Sequence, residues 1–502
     1  MRVALAAALA GACLAGLAPA ATIVGGAGGE RLLGTPRADL ILARGGRDTV
    51  EGRGGNDRIA VQYDGARDTV RCGPGRDVVN ADRIDVVAAD CEVVTRLISR
   101  DPYTVPDGQH ASQAEPDGLA VGNRVVTTFQ TGRRHDGGAT DIGFSTSTDG
   151  GRTWRAGHLP AVTVHSTPAG TASFASDPVV AYDARTGTWL ISTLAVSASR
   201  TELYMSRSAD GIRWGRPVVA AVFDGTDLAY DKNWATCDNW PQSPHFGRCY
   251  LAYTEHIGRP PELAVQTSDD GGRTWSPPVL AVRSAEVVGV LPLVRPDGAL
   301  VIPYLGPGEM QSVRSLDGGE TFEAPVRIAP YDFRRVAGGR LRSFPLPTAD
   351  VDAAGRLYVA WQDCRFRQGC GANDIVLSTS ANGTTWSDPT RLTRDPGTAF
   401  VPELAVDRAT GQLALAYHSC PSRCRVDVFL STSEDGGTTW TAPQRLTAQS
   451  MRFEWMPTTT SGRMLGDYIA VTFARNRPVT VYALASETLG GKLRQAIAAT
   501  RR

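Results

Sequence analysis

From residue 118 onward, short runs in which every second position is apolar recur in pairs, each pair split by a polar turn. They are GLAVGNRVVTTFQ (118–130), DPVVAYDARTGTWLIST (177–193), NWATCDNWPQSPHFGRCYLAYTE (233–255), GVLPLVRPDGALVIPYL (289–305), PTADVDAAGRLYVAWQD (347–363), PELAVDRATGQLALAYH (402–418) and GDYIAVTFARNRPVTVYALAS (466–486). A period of two describes strands with one buried face. Turns such as D-A-A-G, R-P-D-G and D-R-A-T-G mark hairpins. A third alternating strand usually follows, for example TDIGFSTS, NDIVLSTS or VDVFLSTS, and leads into a corner of the form S-x-D-x-G-x-T-W. Six corners occur: STDGGRTW (147–154), SADGIRW (208–214), SDDGGRTW (268–275), SLDGGETF (315–322), SANGTTW (380–386) and SEDGGTTW (433–440). Ser and Asp side chains bond amides within such a loop, Gly takes the left-handed angle, and Trp folds back as an apolar plug. The corner is therefore expected to be structural. The pattern predicts an all-β chain of four-stranded sheets. The last sheet would take three strands from 466–499 and borrow one from about residues 100–110.

A second, shorter beat precedes this region. GTPRADLIL, ARGGRDTVE and GRGGNDRIA place Asp39, Asp48 and Asp57 nine residues apart, and Asp68, Asp77 and Asp85 continue with looser spacing. An apolar residue follows two positions after most of them (Ile41, Val50, Ile59, Val70, Val79). The beat approximates the nonapeptide of calcium-binding parallel β-rolls, in which aspartates supply hard oxygen ligands. The tail CGPGRDVVNADRIDVVAADCEVV resembles the closing piece of degenerate haemolysin-type (RTX-like) repeats. The resemblance implies calcium as a structural cofactor, with Asp39, Asp48, Asn56, Asp57 and Asp77 as candidate ligands. A solenoid that no longer binds metal is the alternative.

The S-x-D-x-G-x-T-W corner resembles the Asp box of sialidases and other β-propellers. The resemblance spans roughly 99–502 and implies an Asp-box propeller, of seven blades or alternatively six. Sialidases hold the substrate carboxylate with three arginines and use a Tyr nucleophile paired with a Glu, plus an acid/base Asp. By this resemblance Tyr468 in GDYIAVTF is the candidate nucleophile, Glu403 in VPELAV its partner and Asp136 in TGRRHDGGATD the acid/base. Arg134, Arg342 and Arg365 are candidate carboxylate binders. Asp231 and Trp234 in YDKNWATCDNW pair charge with an aromatic, as sugar sites do, and Lys232, Asp238 and Trp240 are expected on the same face. The family's early F-R-I-P motif, which carries one of the arginines, is missing; AEPDGLAVGNRVV stands in its place. Two main readings follow: an exo-glycosidase acting on sialylated or related acidic glycans, and a non-catalytic extracellular propeller that binds a glycan or glycoprotein. A mainly structural cell-surface protein is the third.

Composition narrows the partners. Lys+Arg and Asp+Glu each number 52, so no net charge draws the chain to nucleic acid or anionic membrane. G-x-S-x-G, P-loop and dinucleotide motifs are missing. Arg2, an apolar run and APA at 18–20 read as an export signal over 1–20, with a roll at 21–98 and a propeller at 99–502. Lipid anchoring at Cys13 is the alternative to cleavage. No apolar run long enough to span a membrane follows, and a monomer is expected. Eight cysteines remain, in neighbouring pairs: Cys72/Cys91, Cys237/Cys249, Cys364/Cys370 and Cys420/Cys424, read as four local disulfides.

Overall fold

The computed structural model of the chain describes residues 21–226, 228–257, 260–284, 286–421 and 425–502. The expected signal peptide, Cys13 and Cys424 lie outside them. Among the described residues the chain is β-structure joined by turns, with three short 3-10 segments and no helix able to cross a membrane.

Residues 21–97 form a solenoid of about four turns. One parallel sheet stacks Thr22–Val24, Leu40–Leu42, Arg58–Ala60, Val78–Ala81 and Val93–Leu97, and the other stacks Arg31–Leu33, Thr49–Glu51, Thr69–Arg71 and Val86–Val87. A full turn therefore consumes two nine-residue units. Ile23, Ile41, Ile59 and Val79 align in one column, and Leu32, Val50, Val70 and Val87 in the other. Ile41, Val50, Ile59, Val70 and Val79 are fully buried. A Cys72–Cys91 disulfide closes the last turns.

The rest of the described chain pairs antiparallel, apart from a parallel contact between Ser112 and Gln495 and two isolated parallel bridges. Six four-stranded sets occupy 109–158, 174–224, 230–283, 293–330, 348–391 and 398–445. A further set combines Ala470–Phe473, Pro478–Ala485 and Gln495–Arg501 with Val93–Leu97. The borrowed strand is thus Val93–Leu97, not 100–110. The last rung of the solenoid already presents a free edge there, whereas Pro102 and Pro106 lack the amides that pairing needs.

The corners behave as turns. Ser147 Oγ accepts from the Gly151 amide at 2.8 Å, and the Asp149 carboxylate accepts from the Arg152 and Thr153 amides at 3.0 and 2.9 Å and from Thr153 Oγ1 at 2.6 Å. Gly150 and Gly151 sit at φ +74° and +88°. The pattern repeats at Asp270, Asp317 and Asp435, with Asp210 and Asn382 in the two shorter corners. Disulfides Cys237–Cys249 and Cys364–Cys370 staple local loops as expected.

Candidate functional site

The first strands of successive sheets pack one against the next in a closed circuit around a shared hub, and four of these innermost strands share a kink. Register slips by one residue between Ala114 and Asp117, Ser176 and Val179, Asp231 and Trp234, and Phe400 and Glu403. At each slip a residue that is not glycine takes a left-handed backbone: Glu115 (φ +51°), Asp177 (+46°), Lys232 (+49°) and Val401 (+46°). Such positions cost of order 1–3 kcal/mol each and persist only where surroundings impose them. A bulge of this kind re-aims the side chain. Three of the four are charged, and they meet.

Lys232 Nζ lies 2.8 Å from Asp467 Oδ2 and 3.5 Å from both Asp177 Oδ1 and Glu115 Oε1. Arg342 Nε donates to Asp467 Oδ1 at 2.7 Å, and its NH2 group donates to the other oxygen. Arg342 is set there by a bridge between two loops: its amide donates to the Arg463 carbonyl, and the Arg463 amide donates to that of Arg340. Gly466 permits the close passage of Asp467, since a Cβ there would sit 3.0 Å from the Glu115 nitrogen. The Glu115 side chain also accepts from Gln130. Arg133 is buried beside the cluster and donates to the Gly138 carbonyl.

Burial would raise Asp467, but the ion pairs with Lys232 and Arg342 outweigh it and hold the carboxyl far below its usual range. Lys232 is itself held well above its ordinary value: burial opposes its charge, and Asp177, Asp467, Glu115 and Asp231 together override burial. Glu115 is pushed up to about 7 by burial, against the pull of Lys232. Asp231 rises to about 6 by burial and by Asp177. The two principal cations are therefore consumed by the chain's own carboxylates.

Tyr468 stands at the edge of this cluster. Its ring meets Trp234 edge-on at 5.5 Å and Lys232 Nζ at 5.6 Å, and its hydroxyl is 3.5 Å from the Pro178 carbonyl. Burial and the neighbouring carboxylates push the phenol well above its ordinary value. Glu403 is also raised well above its ordinary value, by burial and by Asp117. Tyr468, Glu403, Trp234, Lys232 and Asp467 border a cavity of about 30 Å³, room for a water or two but not for a sugar ring. A larger cavity, about 500 Å³, opens on the other side of Trp234 and Glu403. Its walls include Asp117, Tyr182, Asp350, Asp407, Arg408 and Phe473. Trp234 and Glu403 thus divide the hub into a small charged chamber and a large acid-lined one.

Sequence reasoning brings together Tyr468, Glu403, Trp234, Asp231 and Arg342. It does not bring the others. Asp136 is on an exposed loop, its carboxylate 3.5 Å from Arg134 Nε, and lines neither cavity. Arg134 is engaged by Asp107 and lies over Phe174 at 4.8 Å. Arg365 is pinned by Asp363 at 2.6 Å and by the Pro330 carbonyl. Asp238 and Trp240 do not share a face with Asp231 and Lys232. Asp238 organises the far turn through Ser243, and Trp240 donates to the Val294 carbonyl at 2.7 Å. Glu115, Asp177 and Asp467 were missed, although a signal existed: three bulges precede a proline, in Glu115-Pro116, Asp177-Pro178 and Val401-Pro402.

The solenoid carries a second set of buried carboxylates. One oxygen of each accepts an amide from the preceding turn: Asp48 from Glu30, Asp57 from Asp39, Asp68 from Asp48 and Asp77 from Asp57, at 2.7–2.8 Å. The other oxygen of all four is buried without a hydrogen-bond partner. Burial raises all four, Asp57 to about 7 and Asp68 and Asp77 to about 6.

Residues 24–59 match the RTX calcium-binding nonapeptide repeat, in four copies. The orphaned oxygens fit that repeat, because hard anionic oxygens denied a proton donor are what calcium coordinates. Two expected ligands do not fit. Both Asp39 oxygens are taken by Thr35, which stands where an intact repeat has glycine, and by the Ala21 amide. Asn56 Oδ1 accepts from the Arg76 amide at 2.9 Å. Asp85 and Glu92 end the two stacks by capping amides of Asp68, Asp82 and Asp77. No curated protein matches the chain. Among solved structures, a Dyadobacter fermentans protein of unknown function is similar at 16% identity, covering 81% of this chain and 97% of its own, with a TM-score of 0.44. An α-L-arabinofuranosidase of Fusarium graminearum is similar at 14% identity, over 67% of this chain and 96% of its own, TM-score 0.46. A sialidase from Streptococcus pneumoniae is similar at 13% identity, over 80% and 69%, TM-score 0.42.

Proposed function

We propose that the chain is an extracellular glycan-binding propeller of seven blades that does not hydrolyse sialosides, carried on a calcium-loaded solenoid. One observation carries the reading: Lys232 and Arg342 are both closed onto Asp467. An internal carboxylate takes the cations that a sialic acid would need. Burial disfavours the anions of both Tyr468 and Glu403, and the 30 Å³ cavity beside them lacks the room that a glycosyl-enzyme intermediate requires. The 500 Å³ cavity has the size of a ligand site and offers Trp234, Tyr182 and Phe473 for stacking. Asp117, Asp350 and Asp407 outnumber Arg408 there, so the ligand is a neutral glycan rather than an acidic one. The disulfides Cys72–Cys91, Cys237–Cys249 and Cys364–Cys370 and the RTX repeats favour an extracellular setting.

A fluorogenic sialoside offered to the wild-type chain should give no turnover, while neutral oligosaccharides bind and Trp234→Ala abolishes that binding. Sialoside turnover that Tyr468→Phe removes would restore the hydrolase reading in place of this one.

A further inference from the structure

The loop that follows Asp363 spells CRFRQGC, and its two cysteines, Cys364 and Cys370, are joined. Among the described residues, one group of three side chains of metal-ligand type has its ligand atoms within 4.8 Å of one another: this pair and the Asp332 carboxylate. The group lines neither cavity of the hub. Asp332 is exposed, and its carboxylate makes no hydrogen bond or ion pair with any described residue. Cys370 is half-buried, whereas Cys72–Cys91 and Cys237–Cys249 are buried at both ends. A reductant in solvent therefore reaches Cys364–Cys370 more readily than those two.

The sulfurs are placed by more than their own bond. The Cys364 amide donates to the Asp332 carbonyl at 2.8 Å, which fixes Asp332 beside the loop. Within the loop the Arg367 amide donates to the Cys364 carbonyl at 2.9 Å, and the Cys370 amide donates to the Arg367 carbonyl at 3.0 Å. Arg367 is anchored in turn by Asp374, Nε to Oδ2 at 2.8 Å. Two residues beyond Asp332, the Arg334 amide and carbonyl both bond the Asn373 side chain, at 2.7 and 2.8 Å. These bonds do not depend on the S–S bond and hold the two Cα atoms near their present 4.8 Å. Two thiolates on one zinc ion stand about 3.8 Å apart, given Zn–S bonds of about 2.3 Å in a tetrahedron. Side-chain rotation reaches that separation from this backbone.

We propose that, once a dithiol has opened the Cys364–Cys370 bond, the two thiolates and the Asp332 carboxylate form a site for a thiophilic divalent cation, zinc, whose fourth position faces solvent. The dithiol gives two electrons and two protons to the S–S bond and leaves as its cyclic disulfide. Zinc then displaces both thiol protons to solvent as the two Zn–S bonds form. The charge of the set is what switches. Closed, it is one carboxylate beside two neutral sulfurs; open and ionised, it is three anions that a cation relieves. Thiolates select zinc over the hard calcium ion that the solenoid oxygens suit, so the two metals do not compete.

The test uses the full chain in saturating calcium, treated with dithiothreitol and then desalted without oxygen. Alkylation and peptide mass spectrometry report which cysteines have opened. Zinc is titrated into the oxidised and reduced forms, and cobalt(II) serves as a spectroscopic probe. The reduced chain should take up one zinc more than the oxidised chain and show thiolate-to-cobalt absorption with the visible bands of a tetrahedral site. Asp332→Asn should bind that zinc about tenfold more weakly or worse, with its cysteines opening as in wild type. Cys364→Ser with Cys370→Ser should not take it up at all. Equal uptake by the two redox forms, or full uptake by the double serine variant, overturns the site. So does a Cys364–Cys370 bond that stays closed while Cys72–Cys91 or Cys237–Cys249 opens. Unchanged affinity in Asp332→Asn overturns the three-ligand set. Because Asp332 is exposed, that variant keeps the test open if the double serine variant does not fold. The outcome is independent of glycan binding at the hub.

Discussion

The solenoid and the hub bury carboxylates in similar surroundings and neutralise them by opposite means. At the hub, Asp467 is fully buried and closed by Lys232 at 2.8 Å and Arg342 at 2.7 Å. In the solenoid, Asp48, Asp57, Asp68 and Asp77 are as deeply buried, yet each keeps one oxygen without a donor. A buried charge must find a partner or a proton. The hub carries its partners in the chain, so its geometry needs nothing from outside. The solenoid leaves room for a partner from solution. On the proposed reading one region is constitutive and the other conditional on a cation, and the strand Val93–Leu97 belongs to both.

The sharpest way to break this contrast is to remove the internal cation. Lys232→Met leaves Glu115, Asp177 and Asp467 facing one another without their shared partner. It should cost about 3–5 kcal/mol in denaturant unfolding. Asp467→Asn added to it should recover part of the loss. A cost below about 1 kcal/mol would mean that the hub cluster does not hold the fold. Next, chelation should lower the unfolding midpoint of the wild-type chain, since calcium at a hundredfold over its Kd adds about 3 kcal/mol. It should leave the deficit of Lys232→Met unchanged.

A pH series sharpens the hub side. Glu115 faces Lys232, Asp177, Asp467, Arg133 and Gln130, and its folded value is about 7 against 4.5 for the free side chain. The folded chain then holds more protons between those values. The contribution is fully present below about 4.5 and is lost as the pH rises through 7. Glu115→Gln should flatten stability across that window, read from unfolding midpoints at pH 5, 6, 7 and 8; an unchanged slope would place the titration elsewhere. The smallest effect is expected at the rim. Asp270→Ala removes the turn bonds to Arg273 and Thr274 and should cost about 1 kcal/mol without changing calcium or glycan binding.

What was legible in the sequence followed from locality. Hairpins and corners are written in neighbouring residues, because Ser147, Asp149 and Gly151 bond within five positions. The columns of the solenoid were legible because their period is fixed. The hub was legible only in part: Tyr468, Glu403, Trp234, Asp231 and Arg342 do converge, but Asp467 and Lys232, 235 residues apart, meet only when the ring is assembled. Of the residues named through the sialidase resemblance, Tyr468 and Glu403 border one cavity, whereas Asp136 and Arg365 find partners beside themselves before reaching the hub. Asp39 keeps no free oxygen for a metal, because Thr35, four residues before it, donates both its amide and its hydroxyl and Ala21 donates a further amide.

The central contrast is most directly tested by comparing hydrogen exchange across the whole chain with calcium and with chelator. Peptides covering 40–60 and 69–80 should be protected by calcium, while hub peptides at 112–119, 229–237 and 465–470 should exchange at the same rate in both. Equal responses in the two regions, or a response confined to the hub, would contradict the account.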